Sequence, residues 1–416
     1  MTNRRTLFAA TAAAAAGSAL AACSGAPGRS SHWVPAGTGG PGTPGGSPAP
    51  LAADLVITPA AAAANVLPNQ PVVVTARTGT LTGVTVSGGG KQIAGTLAAD
   101  QKSWRSTGQL AYGQTYTVTA AGVGGDGTPV QQKVSFSTLK PAGTASVTLQ
   151  ANVLAQLHDG GTYGVGQPVI VHFSRAPADK AAALAALQVQ ATPAVPGAWY
   201  WVDRQSVHYR PEKYWAPGTK ITVRADVFAV HLGGNVYGSG NTSASITIGP
   251  SRIAIADSST HQMQVFLNGT LARTIPISLG KGGTTTGSKG EVVNFWTRSG
   301  VHVVMEKDST VRMNSASYGV TDPTDPNFYD ETVELCCRIT YSGEYVHSAP
   351  WSVADQGKRN VSHGCVNVSP ANAQWFYNTF GLGDVVDIRN TPRRMQLGDG
   401  VGGDWEVSWT TWSAGN

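Results

Sequence analysis

The feature that most limits what this chain can fold into is its punctuation. From residue 52 onward the apolar stretches are short, about 4–8 residues, and Gly, Pro, Asn or Asp stands between them. The runs 71–76, 114–119 and 133–136, then 168–173, 199–202 and 206–209, are rich in Val, Ile, Thr, Tyr and Trp. Such side chains fit a pleated, half-buried surface, and the intervening turn residues break any helical period. With 51 Gly and 24 Pro among 416 residues, long helices are excluded and a mainly β chain is expected.

The length calls for two or three domains. Strands separated by regular turn signals suggest one sandwich over 52–143 and another over 144–250. A weak repeat supports the pair: Gly113-Gln114-Thr115-Tyr116-Thr117-Val118 lines up with Gly218-Thr219-Lys220-Ile221-Thr222-Val223, 105 residues later. A third region covers 251–390. Runs at 253–256 and 262–267 lead into Asn268-Gly269 and a return strand at 271–278, a strong hairpin signal. More β pattern follows at 292–296 and 301–305. One helix is expected after Ser369 as N-cap, with Pro370 in its first turn and Gly381 at its end. A final strand occupies 384–389, and 391–416 reads as an extension packing on the preceding domains.

The first 22 residues read as an export signal. Arg4 and Arg5 precede a short Ala-rich stretch that falls below the roughly 20 residues of a membrane span. Leu20-Ala21-Ala22-Cys23 resembles a bacterial lipobox, which implies cleavage before Cys23 and lipidation of its sulfur. Residues 23–51 form a Gly/Pro-rich linker that cannot pack. The expected location is outside the cytoplasm, lipid-anchored to the outer face of the cell membrane.

Charge excludes one broad class. The net +5 is spread out with no Lys/Arg run, so a nucleic-acid partner is not expected. Four cysteines exclude a disulfide scaffold. Cys336, Cys337 and Cys365 lack the spacing of a structural zinc site, and neither metal nor cofactor is expected. Cys336 and Cys337 should point to opposite faces of a strand, one buried and one partly exposed. Trp199, Trp201, Tyr214 and Trp215 could stack on carbohydrate, but as alternating strand residues they are better read as core and domain contacts. His158, His172, His208 and His231 are read as structural.

The chemistry concentrates in two stretches, Tyr345-Val346-His347-Ser348-Ala349-Pro350-Trp351 and Ser362-His363-Gly364-Cys365-Val366-Asn367. A cysteine nucleophile reacts as thiolate and needs a base or a positive neighbour. Histidines flank Cys365 on the N-terminal side at two distances, and Gly364 permits the close backbone approach of an oxyanion hole. The helix after Ser369 adds a positive end that would favour an anion.

The order and spacing of His347-Ser348 and Ser362-His363-Gly364-Cys365-Val366-Asn367 resemble the signature of the L,D-transpeptidase (YkuD-type) catalytic domain. The resemblance reaches the multidomain actinobacterial and mycobacterial members and spans about 52–416. It implies two tandem immunoglobulin-like β-sandwiches followed by a β-rich catalytic domain with a short helix after the active-site cysteine. It also implies that Cys365 is the nucleophile, that His347 is the base held by the Ser348 carbonyl, and that the amides of His363, Gly364 and Cys365 form the oxyanion hole. Tyr329, Trp351, Asn367, Ser362, Met313 and Tyr318 match residues that line or support the substrate pocket. The implied reaction makes 3→3 crosslinks in peptidoglycan. A thioester forms from a tetrapeptide donor stem with release of D-alanine, and a diaminopimelate amine of a second stem accepts. Carbapenems are implied as covalent inhibitors. The rival readings are an L,D-carboxypeptidase, an acyltransferase attaching proteins to the wall, and a non-catalytic wall-binding lipoprotein.

Overall fold

The computed structural model describes residues 51–416 apart from 288, 289 and 291. The expectations for the signal segment, for Cys23 and for the linker up to residue 50 lie outside the described residues. Among the described residues, no helix is long and apolar enough to cross a membrane.

The first sandwich packs two four-stranded sheets. One runs Asp54–Thr58, Val73–Thr78, Ser103–Ser106, Gly95–Leu97; the other runs Lys91–Gln92, Thr80–Gly88, Thr115–Val123, Pro129–Ser137. The strict alternation in Thr115–Val123 sends Tyr116, Val118 and Ala120 into a core with Val74, Leu81 and Phe136. Gly113 and Gly218, the two ends of the sequence repeat, both turn with positive φ just before a strand, Thr115–Val123 and Lys220–Ala225. The repeat therefore marks equivalent turns in the two sandwiches.

The second sandwich packs a five-stranded sheet on a four-stranded one. Trp201 and Trp215 are core residues, Tyr200 stacks on Trp412, and Tyr214 meets Trp405 edge-on. These aromatics hold domains together rather than forming an open platform. The short helix Lys180–Ala185 carries no strong sequence signal beyond its cap, Asp179, whose carboxylate accepts from the Ala182 amide at 2.9 Å.

The third region is welded to the second. Val385 belongs to the same buried cluster as Val171, Trp215 and Ile246, and Ile253 and Val301 pack against it. The Gly164 amide donates to the Leu382 carbonyl at 2.8 Å, and the Gly166 amide to that of Gly383 at 2.9 Å. A β-carbon on Gly164 would lie 2.2 Å from the Asp384 amide nitrogen, so glycine is required for this approach. The C-terminal extension completes the joint. Arg210 is buried with its guanidinium 4.4 Å from the Trp412 ring and 4.9 Å from that of Trp405, and it donates to the carbonyls of Asp404 and Val407. His208 pairs with the buried Asp404 at 2.8 Å.

Among its described residues the third region contains two larger sheets and a two-stranded ribbon of Thr284–Thr286 with Val292–Asn294. Thr270–Pro276, Gln262–Leu267, Arg252–Asp257, Val385–Arg389 and Gly300–Val303 form one, in that spatial order. The expected hairpin turns at Asn268 and Gly269, both at positive φ. Glu306–Asn314, Asp330–Arg338, Tyr345–Ser348 and Val366–Val368 form the second. Between them lies a core of Val265, Ile275, Val346, Val366, Val368 and Phe376. Phe376 comes from the helix Pro370–Thr379, which starts at proline as expected, although the Ser369 side chain makes no capping bond.

Candidate active site

The site follows from one parallel pairing. Tyr345–Ser348 lies beside Val366–Val368 with Val346 opposite Val366, His347 opposite Asn367 and Ser348 opposite Val368. Side chains alternate along strands, so Val346, Val366 and Val368 enter the core while Tyr345, His347, Cys365 and Asn367 share the other face. That face opens into a cavity of about 900 Å³ that both His347 and Cys365 line. Seventeen residues of chain lie between the two, and the register returns both to one face; at rest the thiol points to the Gly343 carbonyl at 3.8 Å.

His347 is 3% exposed, and its Nδ1 donates to the Ser348 carbonyl at 2.8 Å. This fixes the tautomer and leaves Nε2 with a lone pair. Burial holds the imidazole below its ordinary pKa, against the opposing pull of that carbonyl. The Cys365 thiol is pushed up to about 12, first by burial; the Tyr345 backbone opposes this, and Glu344 and Cys336 add to it. At neutral pH the resting site therefore holds a thiol and a neutral imidazole.

The loop before Cys365 is clamped. Ser362 Oγ donates to the Cys365 carbonyl at 2.7 Å and accepts from the Gly364 amide at 3.1 Å. Ser362 is thus committed to the loop rather than free to read substrate. The Gly364 amide, expected in an oxyanion hole, is turned to that hydroxyl; the Tyr345 backbone instead bonds the cysteine sulfur. Gly364 has φ of +141°, a conformation that excludes a β-carbon. Asn367 Nδ2 donates to Ser352 Oγ at 3.1 Å and so braces the turn Pro350–Ser352. On that turn Trp351 stands 52% exposed at the rim, its ring 6.0 Å from that of His347.

The opposite wall belongs to the long hairpin Glu306–Asn314 and Asp330–Arg338 and the segment between them. Met313, Tyr318 and Tyr329 all line the cavity. Tyr329 lies 4.9 Å from the His363 ring and Tyr318 6.1 Å from Tyr329. Burial raises the phenols of both, so they act as neutral donors.

His363 does not serve as a second base, because burial and then the adjacent Lys281 lower it to about 4. Lys281 was not legible in the sequence. Its Nζ lies 3.1 Å from His363 Nε2 and 3.0 Å from Asn327 Oδ1, with Phe295 beneath it at 5.1 Å. An ammonium only donates, so His363 Nε2 accepts and Nδ1 carries the hydrogen. Lys281 thereby ties the segment bearing Asn327 to the loop bearing the nucleophile.

Two further expectations need correction. Cys336 and Cys337 are both fully buried, not one exposed. They do face opposite ways: Cys337 joins the core, while Cys336 clusters with Val333 and Tyr345, against which Cys365 packs. The helix end is also too remote to act on Cys365. Four residue steps of extended chain lead from Cys365 to Ser369, roughly 13 Å at about 3.3 Å per residue, and the macrodipole fades within a turn. Among the described residues, no group of three His, Cys, Asp or Glu side chains is placed to hold a metal.

A half-buried cysteine and a tautomer-fixed histidine on the same face of one strand pair fit a cysteine acyltransferase site. Comparison with known proteins gives the family. Residues 63–231 match the bacterial Ig domain, and 251–388 match the YkuD L,D-transpeptidase catalytic domain. L,D-transpeptidase 2 of Mycobacterium tuberculosis (strain CDC 1551 / Oshkosh) is 39% identical over 356 residues, 85% of this chain and 82% of that one. L,D-transpeptidase 5 of Mycobacterium tuberculosis (strain ATCC 25618 / H37Rv) is 33% identical over 369 residues, 87% and 77% respectively. The chain belongs to the L,D-transpeptidase family, and it is a cysteine acyltransferase that crosslinks peptidoglycan.

The Lys281 bridge makes a prediction. Lys281→Met should lower the rate of Cys365 acylation by roughly tenfold, the equivalent of about 1.4 kcal/mol in the barrier. The thermal midpoint should change little. Stopped-flow acylation and calorimetry on the same preparation would check it; an unchanged rate would remove Lys281 from the site.

Proposed function

We propose that Cys365 is the nucleophile and His347 its proton carrier in 3→3 crosslinking. The observation that carries this reading is the shared face of His347 and Cys365 in one cavity. Cys365 Sγ attacks the carbonyl carbon of the third residue of a tetrapeptide stem, at the L-centre of its diaminopimelate. His347 Nε2 takes the thiol proton as the carbon–sulfur bond forms. The developing oxyanion is held by main-chain N–H groups around the clamped loop. The tetrahedral centre collapses, the carbon–nitrogen bond breaks, and His347 returns the proton to the departing D-alanine amine. The side-chain amine of a second stem then attacks the thioester. His347 accepts its proton, and the thiol regains one as the sulfur leaves.

Burial sets the timing of these steps. A thiol raised to about 12 beside an imidazole held low makes the ion pair uphill at rest. Proton transfer is therefore coupled to attack, and free thiolate is not stored. Tyr329, Tyr318 and Met313 on one wall and Trp351 on the other are placed to grip the donor stem, with Asn367 and Ser348 as supports. A strained β-lactam carbonyl would meet the same sulfur, so carbapenems are expected to acylate Cys365.

Residues 1–22 as an export signal and Cys23 as a lipid attachment point would place the enzyme on the outer face of the membrane. The linker would then give it reach into the wall. Expressed in a bacterial host, the chain should incorporate labelled fatty acid and sediment with membranes. Cys23→Ala should do neither; label retained in that variant would reject the anchor.

The catalytic assignment is tested with residues 51–416 and a disaccharide-tetrapeptide, followed by mass spectrometry. A crosslinked dimer with loss of one D-alanine is expected. Cys365→Ala should abolish it, and His347→Ala should reduce it at least a hundredfold, the lower range for a lost general base. Tripeptide as the main product would instead make water the acceptor and the enzyme a carboxypeptidase. A dimer formed equally by Cys365→Ala would overturn the assignment.

A further inference from the structure

Two buried polar atoms behind the nucleophile have no hydrogen-bond partner among the described residues, His302 Nε2 and Glu344 Oε2. They face each other at 3.6 Å. His302 is fully buried, and its Nδ1 lies 3.0 Å from the Gly300 carbonyl oxygen. A carbonyl only accepts, so Nδ1 carries a hydrogen. In a neutral imidazole Nε2 would then be a bare lone pair. Glu344 Oε1 is committed elsewhere, accepting from Arg298 Nη1 at 2.9 Å with Arg393 Nη1 at 3.9 Å. Oε2 of the carboxylate is a lone pair as well. Two acceptors face to face in a dry interior repel, and 3.6 Å leaves no room for a water in line between them. One proton between them removes the conflict.

We propose that His302 and Glu344 share a single proton seated on Nε2 and directed at Oε2, and that this pair is a positioning device governing how readily Cys365 ionises. The pair sits where it can act. Glu344 Cγ lies 3.8 Å from the point a Gly364 β-carbon would occupy, and Oε1 lies 4.0 Å from it. Glu344 also immediately precedes Tyr345, whose backbone bonds the Cys365 sulfur. Arg298, before the strand Gly300–Val303, bonds Ser342 Oγ at 3.0 Å and Asp399 at 3.0 Å. Arg393 reaches in from the C-terminal segment, and Cys365 from the motif loop. The two arginines balance the two carboxylates, Glu344 and Asp399. The shared proton is thus the uncompensated positive charge behind the sulfur. Placed beside Glu344, the carboxylate that opposes a thiolate, that charge favours a thiolate and a developing oxyanion. Glu344 lines the same cavity as Cys365, whereas His302 is fully buried and acts through Glu344 and the loop. The proposal rests on the reading of Cys365 as nucleophile, and its test reads thiol chemistry, not crosslinking.

The test uses the full chain with nitrogen-15 in its histidines, His302 being assigned by its loss in His302→Gln. Both ring nitrogens of His302 should carry hydrogen at neutral pH. Alkylation of Cys365 by iodoacetamide, mapped by peptide mass spectrometry, should rise with pH, flatten where that proton leaves, and rise again. Glutamine at either position keeps an N–H to bridge the gap, so both variants should fold. His302→Gln strands the carboxylate and should slow alkylation below the shoulder by roughly three- to tenfold, up to about one pKa unit on the thiol. Glu344→Gln removes the nearer negative charge and should speed it severalfold; both variants lose the shoulder. A neutral His302 at neutral pH overturns the proposal, as do variants that shift alkylation in the same direction. Failure of the nucleophile assignment is separate, since it would show as crosslinking by Cys365→Ala.

Discussion

The active site depends on the parallel pairing of Tyr345–Ser348 with Val366–Val368. One register puts three valines into the core and turns His347, Cys365 and Asn367 outward together. A slip of one residue would exchange the faces and bury the wrong set. The valines therefore do more than fill space, because their burial fixes where the nucleophile and base point. The helix Pro370–Thr379 supports the same register from below through Phe376 and Ala373. Around this pair the Ser362 clamp, the Asn367–Ser352 brace and the Lys281 bridge each fix a separate loop to it.

Burial sets the chemistry more than any single charge. His347, His363 and Cys365 all shift in the direction that favours the neutral form, and burial is the first cause in each. A site of this kind protects its sulfur while idle and draws its activation from a bound carbonyl. The charged groups behind it, Arg298, Glu344, Arg393 and Asp399, form a balanced network in which one proton can tip the field at the nucleophile. The second sandwich shares its core with the catalytic domain through Val385, so it cannot be a freely hinged spacer. The first sandwich meets the second through Tyr112, whose hydroxyl donates to the Gly238 carbonyl at 2.9 Å.

Much of this was legible in the chain because it was local. Alternating strands such as Thr115–Val123, the Asn268-Gly269 turn, Pro370 at a helix start and the His347…Cys365 spacing each depend on near neighbours. What escaped was set by distant pairing. Lys281 reaches His363 across 82 positions and Arg298 reaches Glu344 across 46, with no spacing rule to announce either. Ser362 has the residue type of a substrate contact, yet three-dimensional placement spends its hydroxyl on the loop. Closeness in sequence also misled: the helix after Ser369 lies near Cys365 along the chain, but the intervening strand carries it away. One of Cys336 and Cys337 was expected to be partly exposed; both are buried, Cys337 beneath the helix packed over that strand.

The central claim is that thiol and imidazole rest as a neutral pair. The direct measurement is ultraviolet titration of thiolate absorbance in residues 51–416, taken as the difference between wild type and Cys365→Ala. No thiolate signal is expected at neutral pH, and it should appear only in strongly alkaline solution. A full thiolate signal at neutral pH that disappears in His347→Ala would show a preformed ion pair and contradict it.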